Sequence, residues 1–374
     1  MIVAAVAALL FLTFALFFPR ANASLFGFAE NVFSKLGRRR ALAAAIIFFG
    51  VIAVRLLLLP LLPVPTPGIH DEFSYLLMGD TFAHGRLTNP SHPMWLSFET
   101  FHVNWFPTYS SMYPPAQGAA LALGQILGSP WIGVLLTAAG MCAAIYWMLC
   151  AWIPARWAFL GGVLTALKLG LASYWVNSYW GGAVAAFGGA VVLGSVARLL
   201  RRARWQESIL LGLGLAILAN SRPYEGFVFC LPAAFLLLRW LWRRSRSTSP
   251  RGIPWSRVIA PIFAVGILTL TFMGYYNWRL TGNALLFPHT LNERTYEHIP
   301  PFFWQSPLPE KHYNNARLEE FFNEWEPEEY TRSWSAYWEV TKTKTYRIAS
   351  AFLWPGLLLA LPGLPFAFRD KKLR

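Results

Sequence analysis

Asp71 and Glu72 stand side by side in HDEFSYLLMGDTFAHGRL, directly after the apolar run ALAAAIIFFGVIAVRLLLLPLLPVP. Two adjacent carboxylates at the mouth of a membrane helix are costly to hold near low dielectric and repel each other if they face one neighbour, which marks them as a reaction centre. A carboxylate there can take the proton from an attacking hydroxyl, and where the leaving group is already a phosphate, no general acid is required. The two side chains point in different directions whatever the local conformation. One is therefore expected to act as base while the other binds a substrate hydroxyl or orients the loop. The competing structural role is an N-cap, with Asp71 opening a helix through FSYLLMGDTFAHG.

Other groups could serve the same chemistry. Arg222, in Asn220-Ser221-Arg222-Pro223-Tyr224-Glu225, presents a planar fork suited to a phosphate, with Tyr224 and Glu225 beside it. The alternative is an arginine that snorkels to the interface or pairs with Glu225. Arg55 and Lys168 sit deeper in apolar runs, as substrate contacts or as partners within a helix bundle, and Arg279 and Arg294 are weaker candidates. His70, His84, His92 and His102 crowd one segment with Asp80 and Glu99. A divalent metal such as Mg or Mn is conceivable there, but the separations match no compact ligand motif, and no metal ligand is assigned. His70, next to the acidic pair, could tune Asp71 or contact substrate. Asn177 and Trp180 are candidate substrate contacts in another turn. Trp95, Trp105, Trp175, Tyr179 and Trp180 fit an interfacial aromatic belt, and their rings could also line a cleft.

The elements that position these groups are apolar helices. The 374 residues are 56% hydrophobic and 13% charged, and apolar runs of roughly 17 to 25 residues, enough to cross about 30 Å of hydrocarbon, recur along the chain. The net charge of +14 comes from short basic clusters beside those runs, such as Arg38-Arg39-Arg40 and Arg243-Arg244-Ser245-Arg246. Such clusters follow the positive-inside rule and exclude nucleic acid as the expected partner. Cys142, Cys150 and Cys230 lie within apolar runs, where thiols pack as small hydrophobes, and give no disulfide or zinc framework.

About nine spans are expected, near 1–18, 41–62, 131–152, 157–176, 181–200, 207–221, 226–242, 255–276 and 347–368. Residues 1–18 lack a basic leader and read as a span with its N-terminus outside. Residues 1–40 thus form an N-terminal span and cytoplasmic basic segment, 41–276 a transmembrane core, 277–345 a second outer loop, and 346–374 a last span with a basic tail. The first outer loop, 63–130, begins at Pro60, Pro63, Pro65 and Pro67, which stop the preceding helix. Its apolar stretch from Ala116 to Leu127 is short for a span and reads as an interfacial or re-entrant helix. This topology puts Glu30, Glu207 and Asp370 inside and the other carboxylates outside. In the second loop, Leu318, Phe321, Phe322 and Trp325 recur at helical spacing opposite several Glu, an amphipathic helix for the membrane surface or a wall of the cleft, interrupted at Pro327.

The acidic pair after an early span, Tyr75, the Ala83–Gly85 A-x-G, and Tyr113-Pro114-Pro115 opening an apolar helix together resemble the GT-C membrane glycosyltransferases, which include the protein O-mannosyltransferase and aminoarabinose transferase families. The resemblance covers about residues 41–240. It implies a GT-C-like all-α transmembrane bundle, a polyprenyl-phosphate sugar donor, and inverting transfer on the outer face to a glycan, lipid or protein acceptor. It carries Asp71 as base, Glu72 as its companion, and Tyr113, Pro114 and Pro115 as cleft wall. The turn Tyr174-Trp175-Val176-Asn177-Ser178-Tyr179-Trp180-Gly181-Gly182 has no carboxylate where family members often carry one, so no metal is required by the reading. The expected location is a bacterial inner membrane, with membrane lipids as surroundings. The alternatives are a transporter or flippase of a lipid-linked saccharide, against which stands the lack of an inverted repeat, and a non-catalytic envelope-assembly protein.

Overall fold

A computed structural model describes residues 19–246, 254–300, 302, 305–329 and 333–350. The described residues are mostly helical, and five of their helices are long and apolar enough to cross a membrane. These are α2 (Arg40–Leu57), α5 (Pro130–Trp152), α7 (Gly182–Arg201), α9 (Pro223–Ser245) and the helical run Trp255–Thr281, whose α-helical part, α10, is Ala260–Thr281. The expected span at 207–221 forms α8 (Trp205–Ala219), apolar but only 15 residues long. That at 157–176 forms α6 (Ala155–Thr165), continued by a π-helical turn over Ala166–Leu171. The expected first span, 1–18, lies outside the described residues, as does nearly all of the last, 347–368. The segment placed between the first two spans is itself helical, as α1 (Pro19–Arg38).

The segment 63–130, expected as the first outer loop, is more ordered than its composition suggests. It contains α3 (His70–Ala83) and α4 (Pro115–Ile126), and between them a three-stranded antiparallel sheet, so the architecture is not purely helical. Strand β3 (Thr108–Ser111) is central, pairing with β1 (Asn89–Pro90) and β2 (Val103–Asn104). Pro115 takes the first turn of α4, where its missing N–H costs nothing. In the segment 277–345, expected as the second outer loop, α11 (Pro288–Tyr296) starts the same way. The amphipathic stretch beyond it is broken into Ala316–Glu319, a π-helical turn Glu320–Trp325 and Glu326–Glu329, the last containing Pro327.

The described residues fall into two compact units, one of 33–297 with 311–319, the other from 19–32, 298–310 and 320–350. The larger unit has two apolar cores. One joins α2, α3, α4, α5 and α6 around Val51, Leu121, Met141 and Tyr146; the other joins α7, α8 and α9 around Val192, Leu199 and Leu211. Small residues bring the first set close enough for backbone contact. A Cβ added at Gly133 of α5 would fall 2.0 Å from the Ala120 carbonyl oxygen of α4, so only glycine fits that crossing.

Candidate active site

Helix α3 presents the acidic pair on its first turn, where negative charge is favoured by the helix N-terminus. The two carboxylates have separate tasks. Glu72 is 4% exposed, and its oxygens accept three backbone N–H bonds: Oε2 from Gly68 at 2.8 Å and Ile69 at 3.4 Å, Oε1 from Tyr179 at 2.8 Å. The N-terminal cap is therefore made by Glu72 reaching back, not by Asp71. Its carboxylate orients the loop, one of the two roles open to the companion, and is not spare to meet a substrate. The turn it grips is stapled further: Gln117 Nε2 donates to Tyr179 O at 2.8 Å and Trp131 Nε1 to Val176 O at 2.9 Å.

That turn also holds Asn177, whose Oδ1 accepts from Arg55 at 2.7 Å and whose Nδ2 donates to Ser173 O at 2.9 Å. Arg55 is fully buried, donates to the Leu62 and Pro63 carbonyls as well, and lies over the Trp131 ring. The pair is an internal brace that engages both polar atoms of the Asn177 amide within the protein. Lys168 is exposed.

Asp71 has a different setting. Its Oδ1 accepts the phenolic hydrogen of Tyr113, whose ring stacks on Tyr75 with centroids 4.4 Å apart. Its Oδ2 stands 3.9 Å from His102 Nε2, too far for a hydrogen bond between them. Burial, with Asp71's charge, pushes the Tyr113 phenol above its usual value, so it stays a donor. Burial also holds His102 below the usual histidine value, although Asp71 pulls the other way, so the imidazole is neutral at pH 7.

His102 has a left-handed backbone, φ 60°, rare outside glycine. Its carbonyl is fixed there by Ser74 Oγ at 2.6 Å and Met112 N at 3.2 Å, and Ser74 also bonds Ser111 Oγ at 2.7 Å. His70, the histidine singled out from the sequence, stacks on Phe101 with centroids 4.0 Å apart, and its ring lies 6.0 Å from that of His102. The sequence offered His102 only as one of four loop histidines; nothing in its spacing tied it to Asp71.

Beside Tyr113 opens a cavity of about 350 Å³. Five residues singled out from the sequence line it, Tyr75, Tyr113, Arg222, Tyr224 and Glu225, together with Pro114 and Pro115. Helix α4 is anchored there by a bond from Ala116 N to Asn220 O at 2.9 Å. Arg222 precedes α9, pairs loosely with Glu225 at 3.4 Å and reaches over Trp180, 5.9 Å from its ring centre. Trp180 thus backs the arginine and does not itself line the cavity. Further wall comes from α10 and α11 through Met273, Tyr276, Asn277 and His289, which the sequence did not single out. Asn104 Nδ2 to Pro288 O, at 3.0 Å, and Asn292 Nδ2 to Val103 O, at 3.1 Å, dock α11 on the small sheet.

Among the described residues, no group of three or more His, Cys, Asp or Glu is arranged to hold a metal. Around Asp71 stand the Tyr113 phenol, bonded to it, and the His102 imidazole at 3.9 Å. The chain matches no protein-family model, and no curated protein or solved structure matches it.

Proposed function

We propose that the protein is a multi-pass membrane glycosyltransferase that moves a sugar from a polyprenyl-phosphate donor to an acceptor hydroxyl on the outer face, with inversion. The observation that carries this reading is the joining of Asp71, through Tyr113, to a cavity that Arg222 also lines. A carboxylate base bonded to one wall of a cavity, and a guanidinium lining that cavity among aromatic rings and prolines, suit attack by a hydroxyl and departure of a lipid phosphate. Asp71 takes the acceptor proton as its oxygen attacks the anomeric carbon, and the bond to the phosphate oxygen breaks with its electron pair. Arg222 meets the phosphate, while Tyr224 and Tyr75 offer rings to the prenyl chain or the sugar. Nine crossings, with the base outside in a bacterial inner membrane, complete the proposal.

Mass spectrometry of lipids and envelope glycans from cells with the wild-type protein, Asp71→Asn or no copy tests it. Loss of one sugar from an acceptor in both altered strains, with its polyprenyl donor accumulating, is the expected result. An unchanged profile in the deletion strain removes the enzyme reading, and a lipid-linked saccharide left on the cytoplasmic side with its linkage intact replaces it with a flippase.

A further inference from the structure

Helix α11 begins at the cavity wall and carries His289 and Glu293 one turn apart on one helix face, with Glu297 at its C-terminal cap. His289 lines the cavity, and its Nδ1 is 3.2 Å from Glu293 Oε1. With Nδ1 engaged, Nε2 is the nitrogen that remains for a ligand. Neither residue is needed to hold the helix on the sheet, a task done by Pro288 O and Asn292.

We propose that His289, held by Glu293, is a second cation of the cavity and meets the departing lipid phosphate together with Arg222. This deepens the transferase reading and rests on it. In the transfer, the acceptor oxygen bonds to the anomeric carbon and its proton goes to Asp71. The bond from that carbon to the phosphate oxygen breaks, its electron pair staying with the phosphate. A diester with one negative charge becomes a monoester with up to two. A cation touching that phosphate binds it more strongly as the bond breaks, and so lowers the barrier rather than only tightening the donor. His289 needs to lose no proton in this step.

The surroundings favour the imidazolium. The bond to Glu293 raises His289 above the usual histidine value, burial opposes this, and the charges of Glu293, Glu297 and Glu225 add to the rise. Facing it from other elements are Arg222 and Glu225 beside α9, Tyr276 of α10, Tyr113 after β3 and His102 before β2; Lys311 acts on Glu297. His102 and His289 are therefore shifted in opposite directions, the one by Asp71 toward the neutral imidazole and the one at the cavity wall toward the imidazolium.

Farnesyl phosphate, a prenyl monoester, and farnesol, the same chain without phosphate, separate the possibilities when their binding to the full-length protein in detergent is measured by calorimetry from pH 5.5 to 8.5. The probe's own second ionisation, near pH 6, is common to every variant, so differences between proteins read His289. Wild type should prefer the phosphate, and His289→Gln should lose roughly tenfold in its affinity below pH 7, with farnesol unaffected. Glu293→Gln, which keeps an acceptor for Nδ1 but not the charge, should move the pH midpoint down. A phosphate preference that is the same in all three proteins overturns the role of His289 and leaves the transferase reading standing. No preference for phosphate in wild type at any pH overturns both.

Discussion

The phenolic hydroxyl of Tyr113 donates to Asp71 Oδ1, and this one bond joins the acidic turn of α3 to the wall of the cavity. The Tyr113 ring is fixed independently by its stack on Tyr75, so bond and packing can be separated. Tyr113→Phe removes only the bond. The expected outcome is transfer slowed about tenfold, the worth of one hydrogen bond to a charged group, with the melting temperature in detergent nearly unchanged. Transfer at the wild-type rate would show that the tyrosine does not position the carboxylate.

Glu72 predicts the opposite pattern. Its carboxylate accepts from Gly68, Ile69 and Tyr179, so Glu72→Ala leaves three N–H groups, that of Tyr179 buried, without their acceptor and frees the 174–182 turn from α3. Stability should fall on the order of 3 kcal/mol, while Glu72→Gln, which retains one carbonyl oxygen, should fall by less. Thermal unfolding in detergent reads this directly. An alanine variant as stable as wild type would sever Glu72 from the cap.

Glu297 gives a dependence on pH. Burial, with Glu293 close by, pushes its carboxyl up to about 7, against partial relief from His289 and Lys311. The folded state therefore keeps a proton that the unfolded chain gives up near the usual value of about 4.3. The contribution is fully present below the unfolded value and is lost as pH rises to about 7, by on the order of 3 kcal/mol. Glu297→Gln should flatten this fall and melt higher than wild type at pH 8. Parallel melting curves for both proteins from pH 5 to 8 would contradict it.

Much of the site was legible because it is local. The carboxylates after an apolar run, the helix through FSYLLMGDTFAHG and the Tyr-Pro-Pro opening of α4 are patterns within one or two turns, and the structure has each of those helices. Which carboxylate closes the cap, Asp71 or Glu72 reaching back toward Ile69, could not be read until the chain path before Ile69 was known. Asn177 drew notice as a polar group in an aromatic turn, but only packing reveals that Arg55 claims it. His102 and His289 were missed as site residues for the same reason. Each reaches the site through tertiary contacts, one by a left-handed residue beside a short sheet, the other by α11 docking on that sheet. Strands of two to four residues carry too little alternation to be read from sequence.

The central claim is that Asp71 is the base, and it can be tested without knowing the sugar. Lipids from cells lacking the protein, which would hold the unused donor, are mixed with envelope material from the same cells and with purified wild-type or Asp71→Asn protein, and the release of polyprenyl phosphate is followed by mass spectrometry. The account predicts release by wild type and a rate at least about a hundredfold lower for Asp71→Asn, the loss expected for a general base, with both proteins melting alike. Release at equal rates by a well-folded Asp71→Asn protein would contradict it.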